Sequence, residues 1–173
     1  NLSPLRKGNI SLRGREEGIE RYLMTPSGKK YETLEPEDIV FMGLNEEEEK
    51  NESTKKPSSE WRFHRDIYLN KKEAQAIVHA HSPHATAVSS HGKTIPPFHY
   101  MIALAGGEDI KCAEYATFGT EELSKNVINA LRERSACLMS NHGQVAFGKN
   151  LDQAFELAQE IENICHQYTI ALR

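Results

Sequence analysis

Residues 76–81 read Ala-Ile-Val-His-Ala-His, and this run decides both the fold and the place of the chemistry. Ala76, Ile77, Val78 and Ala80 leave the segment no polar face, which is the composition of a buried strand. Side chains alternate along a strand with period two, so His79 and His81 project from the same face. Two imidazoles set side by side in an apolar interior need partners. Two readings stand: core histidines bonded to backbone carbonyls, or two ligands of one metal, which an H-x-H strand offers at suitable spacing.

Working outward toward the C-terminus, strands and helices alternate. A helix is predicted at Pro83–Ser89. Another follows Pro96-Pro97 through 100–105 and is closed by Gly106-Gly107. A strand is predicted at 112–116, and a helix over 121–132 is capped by Thr120. Strands at 136–140 and 144–147 hinge at Asn141-His142-Gly143, and 151–173 forms a long amphipathic helix with Ala154, Leu157, Ala158, Ile161 and Ile164 on one stripe. Toward the N-terminus, 9–13 and 21–25 alternate as two strands joined by a charged turn, Gly14-Arg-Glu-Glu-Gly18. A third strand is predicted at 39–41, and 58–70 is a helix with a serine cap. Residues 45–57 carry no apolar anchor and are predicted to be a mobile surface loop, not a linker, so 1–173 is expected to form a single domain. Close hairpins among the strands point to an α/β fold with a mixed or antiparallel sheet covered by helices.

Composition sets limits on partners. The net charge is −4, with 38% hydrophobic and 27% charged residues. That balance argues against nucleic-acid and membrane-surface binding, which want a basic face. No apolar run approaches the roughly 20 residues of a membrane span. Cys112, Cys137 and Cys165 are odd in number and widely spaced, which suits buried reduced thiols of a cytoplasmic protein.

His142 adds to the histidine pair. It stands in Ser-Asn-His-Gly at a turn between two strands, a way of holding a side chain over a cleft. With His79 and His81 it makes three ligands and leaves one position open, the pattern of a catalytic zinc. Glu60, in Ser-Ser-Glu-Trp, falls in the first turn of the predicted helix. It is either an acid favoured by the helix dipole or a carboxylate able to ligate a metal and take a proton. His64, His84, His91, His99 and His166 are read as structural or exposed.

Several segments together resemble the class II aldolase and adducin-head family, nearest to its bacterial fuculose-phosphate aldolases. They are Gly8-Asn9-Ile10-Ser11, Thr25-Pro26-Ser27-Gly28, Ser58-Ser59-Glu60-Trp61-Arg62-Phe63-His64, Val78-His79-Ala80-His81, Ile95-Pro96-Pro97-Phe98-His99-Tyr100-Met101, Tyr115-Ala116-Thr117-Phe118-Gly119-Thr120 and Asn141-His142-Gly143. Their order and spacing match over essentially the whole chain. The resemblance implies a three-layer α/β/α fold with a mainly antiparallel central sheet, and a homotetramer with active sites between subunits. It implies one Zn2+ per subunit on His79, His81 and His142, joined by Glu60 when substrate is absent. It places the chain's start after the family's first helix, and its end before a tail that helps bind the aldehyde.

The resemblance further implies reversible cleavage of a ketose 1-phosphate to dihydroxyacetone phosphate and an aldehyde. Glu60 matches the acid/base. Tyr100 matches a tyrosine that reaches the neighbouring subunit's site, and Phe118 an aldehyde-side wall. Gly8, Asn9, Ser27, Gly28, Ser58 and Ser59 match a phosphate pocket. Glycines permitting close backbone approach, hydroxyls and a helix N-terminus suit an anion without a basic cluster. Within the family the alternatives are a pentulose-phosphate 4-epimerase, which places Asp where Glu60 stands, and a methylthioribulose-1-phosphate dehydratase. The alternative of another class is a non-catalytic adducin-head interaction domain, which lacks the metal histidines.

Overall fold

The run at 76–80 forms the central strand of the sheet, flanked on both sides and covered on both faces. We describe a computed structural model, which covers residue 2, residues 7–44 and residues 55–173. Seven strands lie in the order β3-β2-β1-β4-β7-β6-β5. They are β1 Asn9–Glu16, β2 Ile19–Met24, β3 Val40–Gly43, β4 Ala76–Ala80, β5 Cys112–Ala113, β6 Ala136–Met139 and β7 Gly143–Gly148. Every neighbouring pair is antiparallel except β5 with β6. Among the described residues the α-helices are α1 Trp61–Asn70, α2 Pro83–Ser89, α3 Glu121–Ala130 and α4 Leu151–Ala171.

Period two sorts the strand residues into two cores. Ile77, Cys137, Met139, Val145 and Phe147 pack with Phe63, Ile67 and Tyr68 of α1 and Leu123 and Val127 of α3. Val78, Ala136, Leu138 and Ala146 pack with Ala85 and Val88 of α2 and Ala154, Ala158 and Ile161 of α4. The result is the expected three-layer α/β/α arrangement with a mainly antiparallel sheet. His79, two residues beyond Ile77, meets Phe63 edge-on at 5.4 Å on the α1 side.

Several boundaries differ from the sequence reading. The first turn is shorter than the predicted Gly14–Gly18. Pairing runs to Glu16 opposite Ile19, and only Glu17 (φ 51°) and Gly18 (φ 85°) turn. Two successive left-handed residues match the twist of a two-residue hairpin, so the ladder keeps its hydrogen bonds to the end. Glu60 is not in the first turn of α1: it precedes the helix, and Trp61 N–H donates to Ser58 C=O there. The segment Tyr100–Ala105 is a 3-10 helix, with His99 Nδ1 accepting from Met101 N–H. Only Cys112 and Ala113 pair as a strand. The predicted loop at 45–57 lies outside the described residues as far as 54. No helix among the described residues is long and apolar enough to cross a membrane.

Gly143 opens β7 against β4. A Cβ there would sit 2.4 Å from the Ala80 carbonyl oxygen and 3.3 Å from His81 Cα. Gly143→Ala is therefore expected to destabilise the protein by about 1–3 kcal/mol through overpacking. Denaturant unfolding with an unchanged midpoint would contradict this.

Candidate active site

β4 brings His79 to the middle of the sheet, where the register sets Asn9 of β1 on one side of it and Val145 of β7 on the other. His79 is 1% exposed. Its Nδ1 lies 2.7 Å from the backbone carbonyl of Gln144. A carbonyl only accepts, so Nδ1 carries the proton and Nε2 turns toward the cleft with a free lone pair, the way a backbone carbonyl orients a metal-ligating histidine. His81 follows on the same side, its Nε2 2.9 Å from His79 Nε2. Burial, with His79 and His142 close by, pulls the pKa of His81 down to about 4.

The third imidazole comes from the β6–β7 turn. Asn141 adopts φ 56°, its N–H donates to Ser89 C=O, and His142 N–H donates to Met139 C=O. This tight turn aims His142 back over the sheet. The three rings meet nearly edge-on, with centroids 4.8, 4.8 and 4.7 Å apart. Glu60 closes the set from the start of α1, with Oε2 3.1 Å from His79 Nε2 and Oε1 3.1 Å from His142 Nε2.

The ligand atoms of Glu60, His79, His81 and His142 all lie within 4.8 Å of one another. Tetrahedral bonds of about 2.0–2.1 Å separate ligand atoms by about 3.3 Å. Three of the separations, 2.9, 3.1 and 3.1 Å, are near that spacing. Glu60 Oε1 is buried and accepts no hydrogen bond. An orphaned carboxylate oxygen facing lone-pair nitrogens is repulsive by itself and is satisfied by a divalent cation. The donor set fits such an ion. Without an ion, burial raises the Glu60 pKa, but His79 and His142 in their protonated forms would outweigh it and hold the carboxyl well below the usual range, so the carboxylate calls for positive charge in this place.

Two cavities meet at this cluster. One, of about 200 Å³, is lined by Gly8, Asn9, Ser27, Gly28, Ser58 and Ser59, all six predicted phosphate residues. Lys7, Lys29 and Tyr31 also line it and stand in none of the quoted segments; Thr25, which stands in one, lines it too. Backbone bonds fasten the pieces: Ser58 N–H to Thr25 C=O at 3.1 Å and Ser27 N–H to Lys56 C=O at 3.0 Å. Tyr31 donates to the Gly8 carbonyl at 2.7 Å, and burial pushes its phenol up to about 12. The second cavity, of about 280 Å³, is lined by Tyr115, Ala116, Phe118 and Asn141. Glu60, His81 and Ser59 line both cavities. Gly119 (φ 76°) passes so close that a Cβ would lie 2.8 Å from the Ser59 carbonyl oxygen.

Tyr100 is 81% exposed and lines neither cavity. His64, read from sequence as surface or structural, is fully buried and bonded to Asn9 and Ser11. Asn9 in turn donates to Glu60 Oε2 at 2.9 Å and to Ser58 Oγ at 3.0 Å. The three cysteines are free thiols, Cys112 half-buried and the other two buried. Burial raises all three, Cys112 to about 11.

A profile of the class II aldolase and adducin N-terminal domain matches residues 1–169. The chain belongs to that family. It is 47% identical over 165 residues to L-fuculose phosphate aldolase of Escherichia coli K12, covering 95% of this chain and 74% of that one. It is 45% identical over 161 residues to 5-methylthioribulose-1-phosphate/5-deoxyribulose-1-phosphate aldolase of Rhodospirillum rubrum, covering 93% and 70%. A solved L-fuculose 1-phosphate aldolase superposes with a TM-score of 0.91 at 37% identity, covering 99% of this chain and 78% of that one. These relatives are lyases of sugar phosphates, and class II aldolases depend on a metal.

The buried His64 makes the fold sensitive to acid. Burial, and then the neighbouring His79, lower its pKa from 6.5 to about 3. As pH falls below about 6.5 the unfolded chain takes up this proton, while the folded chain does not until about pH 3. Stability therefore declines with acid across that window by up to about 1.4 kcal/mol per pH unit, and this group contributes no slope above it. Unfolding of metal-free protein at a series of pH values should show the decline, and His64→Gln should flatten it. Equal slopes in the two proteins would refute the assignment.

Proposed function

We propose that this chain is a zinc-dependent aldolase that reversibly cleaves a ketose 1-phosphate, of the L-fuculose 1-phosphate kind, to dihydroxyacetone phosphate and an aldehyde. The observation that carries this reading is the position of Glu60. One buried carboxylate with an unbonded oxygen faces three imidazoles and borders both cavities. A cleaved sugar phosphate needs that layout, with the phosphate on one side, the aldehyde on the other and a proton carrier between.

The phosphate end enters the smaller cavity, where Ser27, Ser58 and Ser59 hydroxyls and the amides ahead of α1 donate to its oxygens. This holds the reacting carbons at a fixed distance from Glu60. His79, His81 and His142 hold the zinc, with Glu60 as a further ligand when substrate is absent. When bound there, zinc supplies Lewis-acid stabilisation of the negative charge that develops as C3–C4 breaks. Glu60 removes the C3 proton of dihydroxyacetone phosphate in the synthetic direction. Phe118 forms an aldehyde-side wall. Tyr100, exposed on this chain, reaches the site of a neighbouring subunit in a homotetramer and manages the proton on the C4 oxygen. Free thiols are consistent with a cytoplasmic setting.

The E. coli and R. rubrum relatives are named for different sugars, yet both are named as aldolases of a sugar phosphate, which supports the reaction type. The deciding experiment offers a panel of ketose 1-phosphates to zinc-loaded protein and identifies the products. Dihydroxyacetone phosphate and an aldehyde are expected. Activity should vanish on chelation and return with zinc, and a His79→Ala, His81→Ala double variant should hold no stoichiometric zinc. A 4-epimer or a dehydrated ketone as product would move the assignment to the epimerase or dehydratase branch.

Tyr100→Phe and Glu60→Gln should each lose most turnover, about 10²–10⁴-fold for the acid/base. Mixed under subunit exchange, they should regain activity, because some hybrid sites pair an intact Glu60 with an intact Tyr100 from the neighbour. Exchange verified by mass without recovery would exclude action across the interface.

A further inference from the structure

Behind Glu60 runs a row of buried polar groups, of which the proposed chemistry uses only Asn9, in the wall of the smaller cavity. It links Asn9 and Ser11 of β1 to His64 and Tyr68 of α1. Asn9 is 3% exposed, Ser11 and Tyr68 1%, and His64 0%. His64 Nε2 lies 2.6 Å from Asn9 Oδ1, and His64 Nδ1 lies 2.7 Å from Ser11 Oγ. Ser11 Oγ lies 2.8 Å from the Tyr68 hydroxyl. Phe63 stacks on the His64 ring at 4.7 Å and 28°.

One arrangement of protons satisfies the whole row. The Glu60 carboxylate can only accept, so the Asn9 amide must face it with Nδ2. The other N–H of that amide points to Ser58 Oγ. Asn9 Oδ1 is then left to face His64 and must accept, so the proton of the ring sits on Nε2. A neutral ring with its proton there has a bare Nδ1, which accepts from the Ser11 hydroxyl. Ser11 Oγ accepts in turn from Tyr68. Every donor in the row points toward Glu60.

We propose that His64 is the positioning residue of the active site: its Nε2–H fixes Asn9 in the one amide orientation that serves Glu60 and Ser58 together. Reversing that amide would set Oδ1 against a carboxylate oxygen and an N–H against an N–H. The orientation therefore ties the acid/base carboxylate to the hydroxyl of the phosphate pocket through a single side chain. The bland reading is a core histidine that merely fills space between β1 and α1. Space-filling needs the volume of the ring and is indifferent to which nitrogen carries the proton. The catalytic part of the proposal rests on Glu60 being the acid/base.

The test compares His64→Leu, His64→Gln and the unsubstituted holoenzyme. Leucine removes both ring nitrogens, whereas glutamine can keep an N–H donor close to the place of Nε2. Zinc affinity is measured by competition with a chelator, and exchange of the C3 proton of dihydroxyacetone phosphate gives kcat and KM. Outer-shell partners of a metal site typically contribute 10–100-fold, so leucine should weaken zinc binding and lower kcat by about that factor, with KM changed less. Glutamine should recover most of both. A folded leucine variant with unchanged zinc affinity and exchange overturns the proposal, as does a glutamine variant as impaired as leucine. If the leucine variant does not fold, nitrogen-15 NMR of the unsubstituted protein decides: an Nε2–H tautomer of His64 is expected, and an Nδ1–H tautomer overturns the proposal. If the unsubstituted protein exchanges no C3 proton, the aldolase reading fails, while zinc affinity and tautomer still judge His64.

Discussion

The structure turns on the burial of His79 at the centre of the sheet. A polar ring in that place is tolerable only because each nitrogen is accounted for, Nδ1 by the Gln144 carbonyl and Nε2 by the facing cluster. That bond depends on β7 lying beside β4 in its observed register. The register on the other side sets Asn9 next to His79, and Asn9 then reaches Glu60. A slip of one residue on either side would turn these groups to the opposite face and leave several buried polar atoms unpaired. The chemistry and the strand order thus constrain each other.

Most of the sheet face was legible before any coordinates. Period two in 76–81 places both histidines correctly, and the Asn-His-Gly turn places the third, because these are local rules of backbone geometry. What could not be read locally is what other elements bring. His64 follows Phe63 on a helix, and nothing in the helical pattern tells that Ser11 and Asn9, some fifty residues away, will meet its two nitrogens. Tyr31 and the lysines of the smaller cavity escape the sequence reading for the same reason. The error at Glu60 was of another kind. The helix begins one residue after it, and an acid ahead of the first turn is free to face the histidines rather than cap the helix.

Glu60 and His81 belong to both cavities, yet the two cavities have walls of different character. The smaller wall is made of turns, with Gly8 at φ 88° and Gly28 at φ 75°, and is knitted by backbone hydrogen bonds. Its shape belongs to the main chain. The larger wall is made of side chains, and Tyr115 and Phe118 are 62% and 65% exposed. Its shape belongs to whatever residues occupy those positions.

Gly119 joins these walls mechanically. A Cβ at Gly119 would meet the Ser59 carbonyl oxygen, so the segment 115–120 and the turn ahead of α1 leave no space for a side chain between them. Remodelling the aromatic segment by insertion or deletion would disturb the smaller cavity at the same time. Exchange of Tyr115 or Phe118 for another side chain would not. Point substitution at 115 or 118 therefore reshapes the larger cavity alone, and the turns that frame the smaller one keep their geometry.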